Sequence, residues 1–594
     1  MKVLQRKEID GRYKWRTEDI FASDGDFYAE LGELAKEVGA LGAYRGRLGD
    51  KAALLDCLKK RDRISERADR LGLYAHMKKD EDAKNNVYGE MYDKLIALGV
   101  KLNSDASFIT PELSARGGEY LSGLTEDAAF SDYDYMLKEI LRNKAHILSD
   151  KEEKLLTEMY PFASAFREIF SMFDNADTVF GKVKTPEGKV ELTHGLYGVL
   201  LQSHDRSVRK EAYKSMFSAF KRHINTLAAN YAGNVMKNVF IAKVRNYKSA
   251  LHRALSGENV DPAVYDNLLE AVRGKLPALR EYVAFRKKVL GTARMYFYDL
   301  YVPLTAEADI KLEYEEAYAL VKTALEPLGA EYGGLLNEAY DKGWIDVQEN
   351  LNKRSGAYST GAYGAHPYVL LNYQKTTHDV FTVAHELGHA MHTYYSNKNQ
   401  PYAKADYEIF VAEVASTVNE ILLLEHLIKN SEGEKRKYLL SYYLDMFRTT
   451  LFRQSMFAEF ERFAHELGEN GEPINAVVLS EGYEKLVGKY YGEDIARDEY
   501  IVCEWARIPH FYSAFYVYKY ATGIVSAVSI AESILKEGAA AVERYKKFLS
   551  AGGSASPVEI LKLAGADLTK KEPFQKAADV FSRVLKELKA EYGE

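Results

Sequence analysis

The sequence predicts a mostly α-helical protein, and two observations carry that prediction. Apolar residues recur at helical spacing over 25–39, 51–78, 85–104, 132–148 and 150–173, and again over 205–244, 261–290, 314–328, 433–467 and 474–487. Against that background only two stretches read as β structure. In the first, 178–193, Pro186-Glu187-Gly188 forms a turn between β-prone runs, the pattern of a hairpin. In the second, Gly356, Gly361 and Gly364 precede Tyr368-Val369-Leu370-Leu371-Asn372-Tyr373, so a loop leads into a short strand just ahead of the apolar helical run 381–395. An exposed edge at that strand would pair with an extended peptide through backbone hydrogen bonds. The glycines lack the GxxxxGK[ST] spacing of a phosphate-binding loop. His366, in the same stretch, reads either as a substrate contact or as a plain loop histidine. No internal repeat is present, and the GGSAS run at 552–556 reads as a loop ahead of a short helix.

Length and composition narrow the class. At 594 residues the chain is too long for one simple core, so two or three units or one large two-lobed body are expected. With 47% hydrophobic and 28% charged residues and 13 prolines, the composition is that of a folded globular protein. A net charge of -7 leaves no basic footprint, and no nucleic acid partner is expected. Two cysteines, Cys57 and Cys503, are too few for a disulfide framework and suit a reducing compartment. The first residues contain no apolar signal core, and no apolar run approaches the ~20 residues needed to span a bilayer. A cytoplasmic location without membrane attachment is the expectation.

Within 381–395 stands His385-Glu386-Leu387-Gly388-His389. Two imidazoles four residues apart on a helix project from one face and reach one metal ion, with the intervening carboxylate beside them. Phe381, Ala384, Leu387, Gly388 and Met391 supply a core-facing side, and Asp379 an acidic start. A buried helix has no structural need for two histidines and a glutamate, so the spacing predicts a zinc hydrolase. Catalytic zinc takes three protein ligands, and the third is sought nearby. The segment 406–424, with Asp406 as its expected N-cap, reads as a second amphipathic helix carrying Glu408, Glu413 and Glu420. Glu413 lies among Phe410, Val411, Ala412, Val414 and Ala415, where an unpaired carboxylate would be costly to bury, and it is the expected third ligand. Glu420, seven residues on and on the same face, reads as the acceptor for the outer nitrogen of a ligating histidine or as a solvated helix charge. Glu408 reads as a solvated first-turn residue.

The runs HELGHAMH at 385–392, FVAEVASTVNE at 410–420 and ARIPHFYSAFYVYKYATG at 506–523 together resemble oligoendopeptidase F, of the M3 family of thimet-type metallopeptidases. The likeness begins at Tyr13-Lys14-Trp15, passes through 354–373 and ends in 552–569. It implies that His385, His389 and Glu413 hold one Zn2+ per chain and that Glu386 is the general base, taking a proton from water and later delivering it to the departing amine. It implies oxyanion donors in 508–522, with His510 aligned; the spacing of Tyr512, Tyr516, Tyr518 and Tyr520 permits more than one register, and Tyr518 and Tyr520 are the favoured pair. It further implies a large two-lobed, zincin-like helical body enclosing a deep channel, with a small β-sheet or hairpin beside the HExxH helix. On this reading 1–194 is an N-terminal helical oligopeptidase F domain and 195–594 a catalytic M3 peptidase domain. The expected activity is zinc-dependent endoproteolysis of short unstructured peptides, with the oligomeric state left open. A zinc exopeptidase with a glutamate ligand and a non-catalytic peptide-binding protein are the rival readings. Two imidazoles and a carboxylate also accept cobalt or manganese.

Overall fold

The computed structural model describes residues 3–305 and 311–594. Helices dominate, and β structure among the described residues is confined to one two-stranded and one three-stranded sheet. The chain divides into two compact units, each assembled from three segments: Met1–Ala145, Asp309–Leu423 and Ile530–Ala566 in the first, His146–Ala308, Leu424–Ser529 and Asp567–Glu594 in the second. This is a division by spatial packing, whereas the boundary after residue 194 divides the sequence by its motifs.

In the first unit the helices Lys51–Glu81 and Asn86–Ala106 lie side by side, opened by Asp50 and Asn85, whose side chains accept from the N–H groups of Ala53 and Val87. Their apolar faces, Leu54, Leu58, Leu71 and Met77 on one and Met91, Leu95 and Leu98 on the other, enter one core. Each such side chain contributes about 1.5–3 kcal/mol on full burial. The three-stranded sheet has Tyr368–Leu370 at its centre, parallel to Ile345–Asp346 and antiparallel to Tyr358–Thr360. The strand expected to offer a free edge is therefore the interior one, because the stretch 361–367 folds back and pairs it with Tyr358–Thr360, which becomes the half-buried edge. Along the Ile345 side runs the N-terminal segment, whose carbonyls at Leu4 and Tyr13 accept from the N–H groups of Leu351 (2.8 Å) and Val347 (2.9 Å). Asp346, fully buried, is balanced there by Arg6 and by Lys353 at 2.7 Å, so no charge is enclosed unpaired.

The HExxH helix, Thr377–Asn399, packs on this sheet. Thr376 and Asp379 close its start reciprocally: Asp379 N–H donates to Thr376 Oγ1 (3.2 Å), and Thr376 N–H to the Asp379 carboxylate (2.8 Å). Phe381, Ala384, Leu387, Gly388 and Met391 are all buried, as their spacing requires. The next long helix is Ile409–Lys429, so Asp406 is not its N-cap. Asp406 is extended (φ -76°, ψ 145°) and ends the short helix Tyr402–Ala405. The chain is tethered up to that point, with the Lys404 carbonyl accepting from Gly553 N–H (2.8 Å) and the Ala405 carbonyl from Ser396 Oγ, so helix formation begins only after the exposed Glu408.

In the second unit the expected hairpin is present, Lys182–Thr185 against Gly188–Glu191, with Thr185 opposite Gly188. Two long predicted helices are interrupted. His223, at φ -112° and ψ 16°, separates Arg206–Arg222 from Ile224–Val244. A π-helical turn, Phe447–Phe452, separates Gly433–Met446 from Arg453–Asn470. The buried stripe Phe447, Leu451 and Phe452 runs on through that turn, so apolar periodicity does not register it. Cys57 and Cys503 are free thiols, and no helix among the described residues is long and apolar enough to cross a membrane.

Candidate metal centre and active site

His385 and His389 present their Nε2 atoms 3.2 Å apart, and Glu413 brings Oε2 to 3.4 Å from the first and 3.6 Å from the second. Donors held about 2.0–2.1 Å from a tetrahedral ion stand roughly 3.3–3.4 Å from one another, so the three atoms fit the face of such a site. Among the described residues this is the one His/Cys/Asp/Glu group so arranged. The Glu413 carboxyl is half-exposed rather than enclosed: its helix neighbours Val411, Val414 and Ala415 are buried, while it turns toward the histidines. Glu420 Oε1 lies 3.1 Å from His385 Nδ1, which leaves Nε2 of that ring directed at the donor triangle. This placement distinguishes Glu420 from a solvated helix charge.

Burial opposes a positive charge on His385, but the hydrogen bond and charge of Glu420, with Glu386 and Glu413 behind them, outweigh it and push the imidazole up to about 9. The hydrogen bond from His389 holds Glu413 down at about 2 against its partial burial. Burial raises Glu386, and the two histidines only partly offset it. A group raised in the folded state stabilises below its ordinary pKa, and that stabilisation is lost as the pH passes its folded value. In metal-free protein the thermal midpoint is therefore expected to fall from pH 6.5 to about 9 as His385 loses its proton. Glu420→Gln should flatten that slope; an unchanged slope in the variant would refute the assignment.

Gly388 explains how the two helices come so close. A Cβ at this position would stand 2.6 Å from Ser416 Cα and 2.7 Å from Ala415 O, so only glycine permits the contact that carries Glu413 to the histidines. Asn419, buried, ties the same helices by donating to Ala384 O (3.0 Å) while accepting from the Tyr332 hydroxyl (3.1 Å). Sequence reasoning missed both roles. The signal for Asn419 was an amide beside Glu420, just ahead of the apolar run from Ile421 to Leu424; for Gly388 there was none, since a small residue at a core position looks like packing. Gly388→Ala is expected to cost about 1–3 kcal/mol by overpacking and to lower metal retention. Calorimetry with metal analysis checks this, and a variant with wild-type midpoint and full metal would show that the approach is not tight.

The segment 508–522 belongs to the second unit. There His510 Nε2 lies 3.2 Å from the Tyr520 hydroxyl, and the Tyr516 ring stacks parallel to the imidazole at 5.8 Å. Burial holds the His510 pKa below its ordinary value, favouring the neutral ring. Tyr518 does not join them: it is 1% exposed, with its ring 5.3 Å from Tyr265 in the interior. Residues two apart at a helix start face opposite sides, so when Tyr520 meets His510 its neighbour Tyr518 turns to the core. The Tyr516 ring, not that of Tyr518, packs against Tyr520, at 5.5 Å. Tyr512 is an anchoring residue, its hydroxyl accepting from Asn230 Nδ2 at 3.1 Å. His366 is a packed residue of the first unit, stacked on Trp344 at 4.9 Å with Nε2 3.2 Å from Asp19.

Beside the free sheet edge, the first unit has an open cavity of about 1050 Å³ lined by Thr360, Gly361, Thr393 and Tyr407, among others. Thr393 is one turn beyond His389, about 6 Å along the helix axis, whereas His385, Glu386, His389 and Glu413 themselves do not line the cavity.

A helical body that brings two histidines from one helix and a carboxylate from another to a single point is the frame of a metal-dependent hydrolase. Comparison with known proteins names the family. The chain belongs to peptidase family M3: that family's model matches residues 199–580, and the oligopeptidase F model matches 112–180. It is 42% identical to oligopeptidase PepF of Bacillus subtilis over 587 residues, 98% of this chain and 88% of that protein. The crystal structure of oligoendopeptidase-F from Enterococcus faecium superposes with a TM-score of 0.72 at 33% identity, covering 96% of this chain and 99% of that one. A solved chain from Chlamydophila abortus gives a TM-score of 0.95 at 36% identity, covering 99% and 100%. The protein is thus an M3-family metallo-endopeptidase with a mostly helical body.

Proposed function

We propose that the protein is a zinc-dependent oligoendopeptidase that hydrolyses internal bonds of short unstructured peptides. The observation that carries this reading is the donor triangle of His385, His389 and Glu413 with the buried carboxyl of Glu386 on the same helix. When bound, zinc supplies Lewis acidity, which acidifies a water and polarises a scissile carbonyl. Glu386, raised by burial, takes the proton from the attacking water and delivers it to the departing amine. Glu420 holds His385 in the tautomer that directs Nε2 to the ion. His510 and Tyr520 are the proposed hydrogen-bond donors to the oxyanion, an assignment supported by the family resemblance and by their mutual contact.

The edge Tyr358–Thr360 and the adjoining cavity suit an extended peptide held through its backbone, and such pairing tolerates many side chains. Short peptides as substrates, a cytoplasmic location and the division into an N-terminal domain to residue 194 and a catalytic domain from 195 complete the proposal. The two family models fall on either side of that boundary.

The test is mass spectrometry of end-blocked peptides incubated with zinc-loaded and chelated protein. Internal cleavage confined to the zinc sample is expected. Loss of cleavage on blocking either end would point instead to an exopeptidase.

A further inference from the structure

In the second unit, a carboxyl group outside the donor triangle is enclosed behind the turn between His510 and Tyr520. Glu461, on Arg453–Asn470, is fully buried. Its Oε1 accepts the backbone N–H of Phe515 at 2.6 Å, and its Oε2 has no hydrogen-bond partner. Burial raises its pKa well above the ordinary carboxylate value. Phe515 has φ 52°, in the left-handed region that residues with a Cβ rarely adopt. Its ring packs at 4.5 Å on His465, one turn beyond Glu461.

The turn is gripped from a second helix as well. Asn230, Asn234 and Asn238 recur every four residues on Ile224–Val244 and are all buried. Asn230 donates to the Tyr512 hydroxyl (3.1 Å), Asn234 to Phe511 O (3.1 Å), and Asn238 to His465 Nε2 (3.1 Å). A glycine at 515 would make this reversal with no carboxyl behind it. Instead the chain keeps a strained phenylalanine and a buried acid with one oxygen unpartnered, two unfavourable choices that coincide at functional sites.

We propose that Glu461 is a positioning residue for the reaction: by holding Phe515 N–H it fixes the left-handed turn and with it the 3.2 Å pairing of His510 with Tyr520. This rests on the reading of His510 and Tyr520 as oxyanion donors.

The test uses zinc-loaded full-length enzyme on an end-blocked peptide. Glu461→Leu is expected to lower kcat roughly 10- to 100-fold with KM within about twofold, as a misplaced catalytic group does. Glu461→Gln, which keeps a carbonyl acceptor, should recover to within about threefold of wild type. Adding Phe515→Gly to Glu461→Leu should restore kcat, since glycine adopts the turn unaided; that double variant also serves if Glu461→Leu alone does not fold. In a Tyr520→Phe background, Glu461→Leu should have no further effect. Full additivity there, or a crystal structure of Glu461→Leu with the Phe515 turn and the His510–Tyr520 contact intact, would overturn the proposal. If Tyr520→Phe and His510→Ala each leave kcat unchanged, the oxyanion reading fails instead, and the crystal structure still decides whether Glu461 sets the turn.

Discussion

Glu386→Gln is expected to lower kcat on an end-blocked peptide by about 10²–10⁴-fold while the protein keeps its metal. The substitution is isosteric, so the helix, the two histidines and Glu413 stay where they are. What is lost is the ability to hold a proton between two steps. Glu386 is only 6% exposed, and burial raises its affinity for a proton toward the range in which a base can both take one and return it. The amide has no such capacity. In free-energy terms the loss corresponds to about 2.7–5.4 kcal/mol of barrier. Steady-state kinetics alongside metal analysis of the same sample checks both halves. Turnover within about threefold of wild type, with metal present, would remove Glu386 from the role of base.

Glu413→Ala is expected to act at the earlier stage, releasing the metal. The two imidazoles remain 3.2 Å apart, but the donor triangle loses the corner supplied by the second helix. Deleting an outer partner such as Glu420 costs roughly 10–100-fold in affinity, and loss of a direct ligand should exceed that. A metal ion that binds only the folded protein raises its stability by about 2.7 kcal/mol when present at 100 times its Kd, so wild type is expected to melt higher with zinc than after chelation. Glu413→Ala should show one midpoint in both conditions, and Glu420→Gln an intermediate response. Retention of a full equivalent of metal by Glu413→Ala after gel filtration would exclude it as a ligand.

Much of this site is legible before any coordinates. The four-residue spacing of His385 and His389 places both rings on one helix face by geometry alone, and the apolar positions around them choose which side is buried. Glu413 stands out as a carboxylate inside an apolar helical run, and Glu420 follows from the same periodicity. The hairpin at 182–191 is announced by its turn residues. These are local properties, decided within a few residues of chain.

Contacts between segments distant in sequence lie beyond such patterns. That Gly388 lets the Glu413 helix approach, that Tyr358–Thr360 rather than Tyr368–Leu370 is the free edge, and that Asp406 ends one helix instead of starting another all depend on partners in other segments. The same holds for the aromatic run 510–520, where every ring is plausible by composition and only packing against Tyr265 sends Tyr518 inward. Glu461 gives no sign in the sequence that Phe515, 54 residues away, depends on it. Periodicity and spacing thus determined by themselves that this chain carries a helix with two histidines on one face and a second helix that bears carboxylates. The tertiary structure alone decided how closely they meet and which side chains face the chemistry, because a repeating pattern records that a face is buried and not what it is buried against.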